Sequence, residues 1–375
     1  MANLKGDINN QNDGLLATAF FAAQGFVTIA PDFAGYGDSS LPYSAFLNAD
    51  QHATDMMDAL RAVRKAFPHA VTKGARLFVT GYSQGGYVAM STQREMEKHP
   101  DEFQLAGVAT GSGPYAISLL IDKAFNGAPG TLAPMFLNLI ATSWQNAYGD
   151  VYGDAHGQPA DMYESQYASD AQGLLPSHIP QQELFKRNRL PERAAFETGS
   201  MPPADVSDPD TATVTQAGFS AKNFYVRTAF RNRITADIGA NPCQSASDDL
   251  IPSCQPTTGL RKDALRNDLR NFTPKAPLLM CGAHSDTIVY FASTQATQKY
   301  FATQAPSAKV TVVDVAPGLA TPANPWQAAF NAALHELEKK AGPGPAGKLF
   351  VASQIHIIAA PVCIARARAF FSDGK

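Results

Sequence analysis

Residues 77–90, Leu-Phe-Val-Thr-Gly-Tyr-Ser-Gln-Gly-Gly-Tyr-Val-Ala-Met, constrain the fold more than any other stretch. Leu77 to Thr80 reads as a buried strand, and Gly86 to Met90 opens a helix. Between them Gly81-Tyr82-Ser83-Gln84-Gly85 must turn the chain within a few residues. Glycines on either side of a serine relieve the crowding of a tight strand-to-helix turn and leave the hydroxyl exposed at the end of a sheet. A strand feeding straight into a helix also commits its neighbours to βαβ units and a parallel sheet.

The surrounding sequence follows that pattern. Leu15 to Gln24 reads as an amphipathic helix stopped by Gly25, and Phe26 to Ala30 as a buried strand running into the Gly-rich loop Pro31 to Ser39. A helix is expected from Ala49 to Phe67, with Met56, Leu60, Val63 and Phe67 at helical spacing, then a third strand at Leu105 to Thr110. Residues 114–272 break the alternation; they are aromatic, dotted with Pro, and mainly helical in pattern. It resumes with a strand at Pro277 to Cys281, a helix at Ser293 to Thr303, a strand at Lys309 to Asp314 and a helix at Pro325 to Lys340. Ala341 to Gly347 reads as a short linker, Lys348 to Ala352 as a short strand, and Ile358 to Phe371 as a closing helix. The expected class is α/β: a mostly parallel sheet flanked by helices, built from residues 1–113 and 273–375, with residues 114–272 inserted as a helical cap or lid. A length of 375 residues suits one large domain with an insertion, and no internal repeat is visible.

A serine hydroxyl is a weak nucleophile at neutral pH. It needs a base for its proton, a carboxylate to orient that base, and donors for the developing oxyanion. Asp286 follows the strand ending at Cys281, so it sits at the carboxyl end of the sheet, where open α/β sheets build their sites. His356 is a polar residue in the apolar stretch Gln354-Ile355-His356-Ile357-Ile358. Alone, each has a plain structural reading: a turn serine, a capping aspartate, a core histidine. Together they follow the chain order Ser, Asp, His of this kind of sheet. His335, on the polar side of its helix, and His284, close to Asp286 in sequence, are the rival bases.

These residues resemble the α/β-hydrolase superfamily, and more narrowly the secreted lipase and esterase group related to yeast lipase A. The resemblance implies a serine hydrolase of carboxylic esters, with Ser83, Asp286 and His356 as catalytic triad and the Gln84 N–H as one oxyanion donor. Gly81, Tyr82 and Gly85 would complete the nucleophile elbow. It implies no cofactor or metal, and a small-molecule or lipid ester as substrate. The alternatives are a prolyl-oligopeptidase-like serine peptidase and a non-catalytic remnant. The family carries a strand and an HG-type loop that supplies a second oxyanion donor; on this resemblance the first strands are missing here, leaving that donor to a residue within Asn3 to Asn10 or to none.

Composition narrows the setting. Net charge is −3 from 30 basic and 33 acidic residues, so no nucleic-acid-binding face is expected. Charged residues are only 17%, which leans towards a secreted or periplasmic enzyme, although Met1 to Gly14 holds no apolar signal-peptide core and a cytoplasmic location stays open. No uninterrupted apolar run of spanning length occurs, so no transmembrane helix is expected. Cys243 and Cys254, in a Pro/Ser/Asp-rich loop, are read as a disulfide, and Cys281 and Cys363 as buried free thiols. The clusters Lys186 to Arg189 and Arg261 to Arg270 are read as solvated helix faces. Phe136, Trp144, Tyr163 and Phe224 are read as cap core, some lining an acyl pocket. Nothing in the sequence specifies an oligomeric state.

Overall fold

The computed structural model describes residues 18–153, 156–200, 209–316 and 324–373. The element order is α1 (Ala49–Ala66), β1 (Leu77–Tyr82), α2 (Gln84–Met96), β2 (Leu105–Gly111), α3 (Ile117–Phe125) and α4 (Ala133–Tyr148). Short helical turns and a two-residue pair, β3 (Phe196–Glu197) and β4 (Phe219–Ser220), follow. Then come α5 (Thr228–Ala240), α6 (Gly259–Arg266), β5 (Leu278–Gly282), α7 (Ala292–Gln304), β6 (Val310–Asp314), α8 (Pro325–Ala341) and α9 (Pro345–Asp373).

The main sheet runs β1-β2-β5-β6, every neighbouring pair parallel. β5 lies inside, and all five of its residues are buried. This is why Leu278 to Cys281 is apolar without alternation: a parallel strand covered on both faces needs no polar side. α1 starts at Asn48, whose side chain accepts from the Gln51 N–H, and buries Ala49, Ala53, Met57 and Leu60. Phe67, expected on that face, is the C-cap and stays 61% exposed. α8 starts the same way, with Asn324 accepting from Trp326 and Gln327 ahead of a first-turn Pro325.

One apolar cluster runs from Phe46 and Val79 through Val108, Ile121 and Trp144 to Phe230, Leu260, Met280 and Phe301. The helices between β2 and β5 therefore pack into the same core as the sheet.

Four expectations are corrected. Among the described residues, 26–30 form no strand and β1 is the sheet edge; a strand exists only where a neighbour accepts its ladder bonds. Lys348 to Ala352 is helical, the first part of α9, whose 29 residues continue through Pro361. Cys281 and Cys363 are buried but joined as a disulfide, alongside Cys243–Cys254; their separation of 82 residues hid the pairing, which sequence alone does not give. Arg261 and Arg270 are not solvated: Arg261 meets Asp122 at 2.8 Å and Asp237 at 3.0 Å, tying α6 to α3 and α5, and Arg270 meets Asp268 at 2.9 Å. Buried guanidinium groups persist only when paired this way.

The membrane expectation also needs restating. Residues 345–372 form one helix long and apolar enough, by length and composition, to cross a bilayer. In this fold the helix packs against β1, β2 and β5.

Candidate active site

Ser83 is the junction of β1 and α2, with φ 59° and ψ −122°. A non-glycine residue with positive φ is strained, costing on the order of 1–3 kcal/mol. The surrounding bonds hold it there: the Ser83 N–H donates to the Gly111 carbonyl at 2.8 Å, and its own carbonyl accepts from Gly86 and Tyr87. Gly81 is required because a Cβ would run into the Gly85 carbonyl. Gly86, not singled out in the sequence, is required in the same way: its Cβ would meet the Gly111 carbonyl of β2. Gly85, by contrast, has open space where a Cβ would go.

Asp286 follows β5 on a tight turn in which its N–H donates to the Ala283 carbonyl at 3.0 Å. Oδ1 accepts from the N–H groups of Ile288 and Val289 at 2.9 and 3.0 Å. Oδ2 meets His356 Nδ1 at 2.6 Å in a buried contact. Each carboxylate oxygen thus has its own partners, and the imidazole is held by one nitrogen. Its other nitrogen, Nε2, is buried without a hydrogen-bond partner, so no Ser83–His356 bond is formed in this structure.

Tyr82 links the two halves of the site. Its hydroxyl donates to the His356 carbonyl, and its ring centroid lies 5.0 Å from that of His356. Burial, and next the charge of Asp286, push its hydroxyl well above the ordinary range, so it stays a donor. The residue preceding Ser83 therefore anchors the helix that carries His356. The Cys281–Cys363 disulfide ties that same helix to β5, the strand leading to Asp286. The rival base His284 is 67% exposed and faces Asp314 at 3.9 Å. His335 lies on α8. Asn3 to Asn10 lie outside the described residues.

Ser83 and Gln84 line a pocket with Ile288, Val289 and Tyr290 from the Asp286 loop. Its far walls come from α3 and α4, through Leu120, Ile121, Phe136 and Ile140, and it encloses about 710 Å³ of empty space including its open mouth. Apart from Ser83, Gln84, Thr131 and Tyr290, its side chains are apolar, and none is charged. As first residue of α2, directly after Ser83, Gln84 has a backbone N–H with no intrahelical partner. The arrangement can bring a carbonyl against a hydroxyl, with an oriented imidazole nearby and an apolar channel beyond. Among the described residues no group of three or more His, Cys, Asp or Glu side chains could hold a metal ion.

The prolyl oligopeptidase family model matches residues 15–113. No curated protein matches the chain by sequence. Among solved structures, the rice cell wall degrading esterase LipA of Xanthomonas oryzae is 20% identical over 91% of this chain and 70% of its own, with a TM-score of 0.63. A point mutant of the same esterase is 23% identical over 76% of this chain, with a TM-score of 0.58; this chain spans 63% of that structure. A Legionella pneumophila protein assigned provisionally as a hydrolase is 17% identical over 99% of this chain and 75% of its own, with a TM-score of 0.65. The parallel sheet, the strained serine turn after β1 and these likenesses agree that the chain has the α/β-hydrolase fold.

Proposed function

We propose that this protein is a serine hydrolase that cleaves carboxylic esters, with Ser83 as nucleophile, His356 as base and Asp286 as the group that orients it. The observation carrying this reading is the Asp286–His356 contact at 2.6 Å, which leaves Nε2 buried and unpartnered on the helix that Tyr82 anchors beside Ser83. Ser83 Oγ adds to the acyl carbon while its proton passes to His356 Nε2. The carbonyl electron pair moves onto oxygen, where the Gln84 N–H receives it. Collapse breaks the ester C–O bond, the leaving alkoxide takes the proton from Nε2, and water repeats the sequence to release the acid.

The apolar pocket supports an acyl group of hydrocarbon character, because a charged acid would be desolvated there without a partner. Residues 114–272, which supply most of the pocket wall, would serve as the cap that sets substrate size. That LipA is an esterase agrees with this reading. Two disulfides favour an oxidising compartment, outside the cytoplasm.

The prolyl oligopeptidase match over residues 15–113 favours a second reading, peptide hydrolysis. Parallel assays of p-nitrophenyl esters of graded acyl length and of peptide p-nitroanilides separate the two. The ester reading predicts Ser83-dependent release from esters and little from anilides; the reverse preference would replace it with a peptidase.

A further inference from the structure

The backbone N–H of Gln84 gives the developing oxyanion one donor. A second polar group on the same residue has no assigned task. Gln84 Nε2 is buried and has no hydrogen-bond partner, although Gln84 lines the pocket beside Ser83. Buried amide groups are almost always paired, and an orphan in a native fold calls for a reason. The other end of this amide faces a donor: Oε1 lies 3.5 Å from the Tyr36 hydroxyl, the long limit of a hydrogen bond.

Tyr36 is itself fixed. Its loop turns at Gly35 and Gly37, with φ 87° and 55°, where a Cβ would strike the Tyr43 carbonyl and the Asp32 carboxylate. The Gly35 N–H donates to Ser39 Oγ at 2.9 Å, and the Ser39 N–H to the Tyr36 carbonyl at 3.0 Å. Burial raises the Tyr36 hydroxyl above its ordinary range, so it remains a donor across the working pH. An amide whose oxygen already faces a donor presents its two N–H bonds elsewhere.

We propose that Gln84 donates twice to the substrate's acyl oxygen, through its backbone N–H and its side-chain Nε2–H, with Tyr36 as the positioning residue that sets the amide's direction. This rests on the ester-hydrolase reading and deepens it. As Ser83 Oγ bonds to the acyl carbon, the former carbonyl oxygen gains a full negative charge. A fixed N–H donor binds that charge more strongly than the neutral carbonyl, so the gain falls on the transition state. The donor comes from the same turn as the nucleophile.

The test is kinetics on p-nitrophenyl butyrate for wild type, Ser83→Ala, Gln84→Glu, Gln84→Ala, Tyr36→Phe and the Tyr36→Phe/Gln84→Ala double variant. Inhibition by a trifluoromethyl ketone, which forms a tetrahedral oxyanion on serine, is measured in parallel, with thermal unfolding as the folding control. Both Gln84 variants should lower kcat about 10²–10³-fold, leave KM within about threefold, and weaken the ketone by the same factor as kcat. Tyr36→Phe should lower kcat about tenfold and add nothing to Gln84→Ala. If Gln84→Glu does not fold, Gln84→Ala and Tyr36→Phe decide the matter. A kcat within about threefold of wild type in a folded Gln84 variant, or a loss confined to KM, overturns the second donor. If Ser83→Ala is inactive while Gln84 variants run like wild type, the ester-hydrolase reading stands and only this inference falls. If wild type shows no Ser83-dependent turnover, both fall.

Discussion

At Ser83 a strained backbone is held by packing that only glycine permits. The two glycines after Gln84 look alike in sequence, yet Gly86 lies against the Gly111 carbonyl of β2 whereas Gly85 faces open space. Backbone on both sides leaves nothing flexible to move aside. Gly86→Ala should therefore destabilise the fold by about 1–3 kcal/mol and depress ester turnover, while Gly85→Ala should leave stability within about 1 kcal/mol of wild type. Urea unfolding of the two variants checks this, and equal losses would contradict it. A second residue-scale effect concerns His52, fully buried with neither ring nitrogen bonded and flanked by the rings of Phe33 and Tyr87. Burial lowers its pKa to about 3. Between that value and about 6.5 the unfolded chain binds a proton that the folded chain does not, so the stability tied to His52 is whole above pH 6.5. It falls by up to about 1.4 kcal/mol per pH unit below that. His52→Met should flatten this part of the stability profile; a slope unchanged by the substitution would remove His52 as its source.

At the scale of elements, α9 carries more than its sequence indicated. His356 stands well inside this helix, and three devices fix it: the Asp286 contact, the Tyr82 hydroxyl on the His356 carbonyl, and the Cys281–Cys363 disulfide. Cys281 precedes Asp286 by five positions and Cys363 follows His356 by seven, so the bond links the elements bearing both groups. The Cys281→Ala/Cys363→Ala double variant should be less stable than wild type by roughly 2–4 kcal/mol. It should also cut kcat by more than the loss of folded protein explains, since the imidazole loses one of its tethers. Comparing kcat with active-site titre decides this; unchanged turnover per titrated site would reduce the disulfide to a stabiliser alone. The pairing of Asp286 with His356 was expected from chain order; the Tyr82 anchor, the disulfide and the long helix were not legible in the residues. The apolar run around His356 suits a strand, a core helix or a membrane segment equally well, and a pairing across 82 residues leaves no local signal.

At the scale of the molecule, legibility followed the range of the interactions. β1, α2, β5 and β6 lay near their expected positions because short apolar runs bounded by turn residues are local signals. Phe26 to Ala30 carries the same signal without becoming a strand, since a ladder depends on a neighbour. Arg261 and Arg270 looked like surface charge until α3 and α5 supplied Asp122 and Asp237 to Arg261, and Ser118, Gln244 and the Asp248 carbonyl closed over Arg270. The common core of sheet and intervening helices arises the same way, from contacts that no window of sequence contains. Asp286 and His356 were readable from chain order and strand ends, but their 2.6 Å contact and the amides holding Oδ1 were not. The central claim is that Ser83 becomes acylated. Wild type and Ser83→Ala should be mixed with p-nitrophenyl butyrate, quenched in acid within the first turnovers, and mapped by peptide mass. The account predicts a butyryl adduct on the peptide containing Ser83 in wild type, absent in Ser83→Ala, with a matching burst of p-nitrophenol. Turnover by wild type with no adduct on that peptide, or turnover retained by Ser83→Ala, would contradict it.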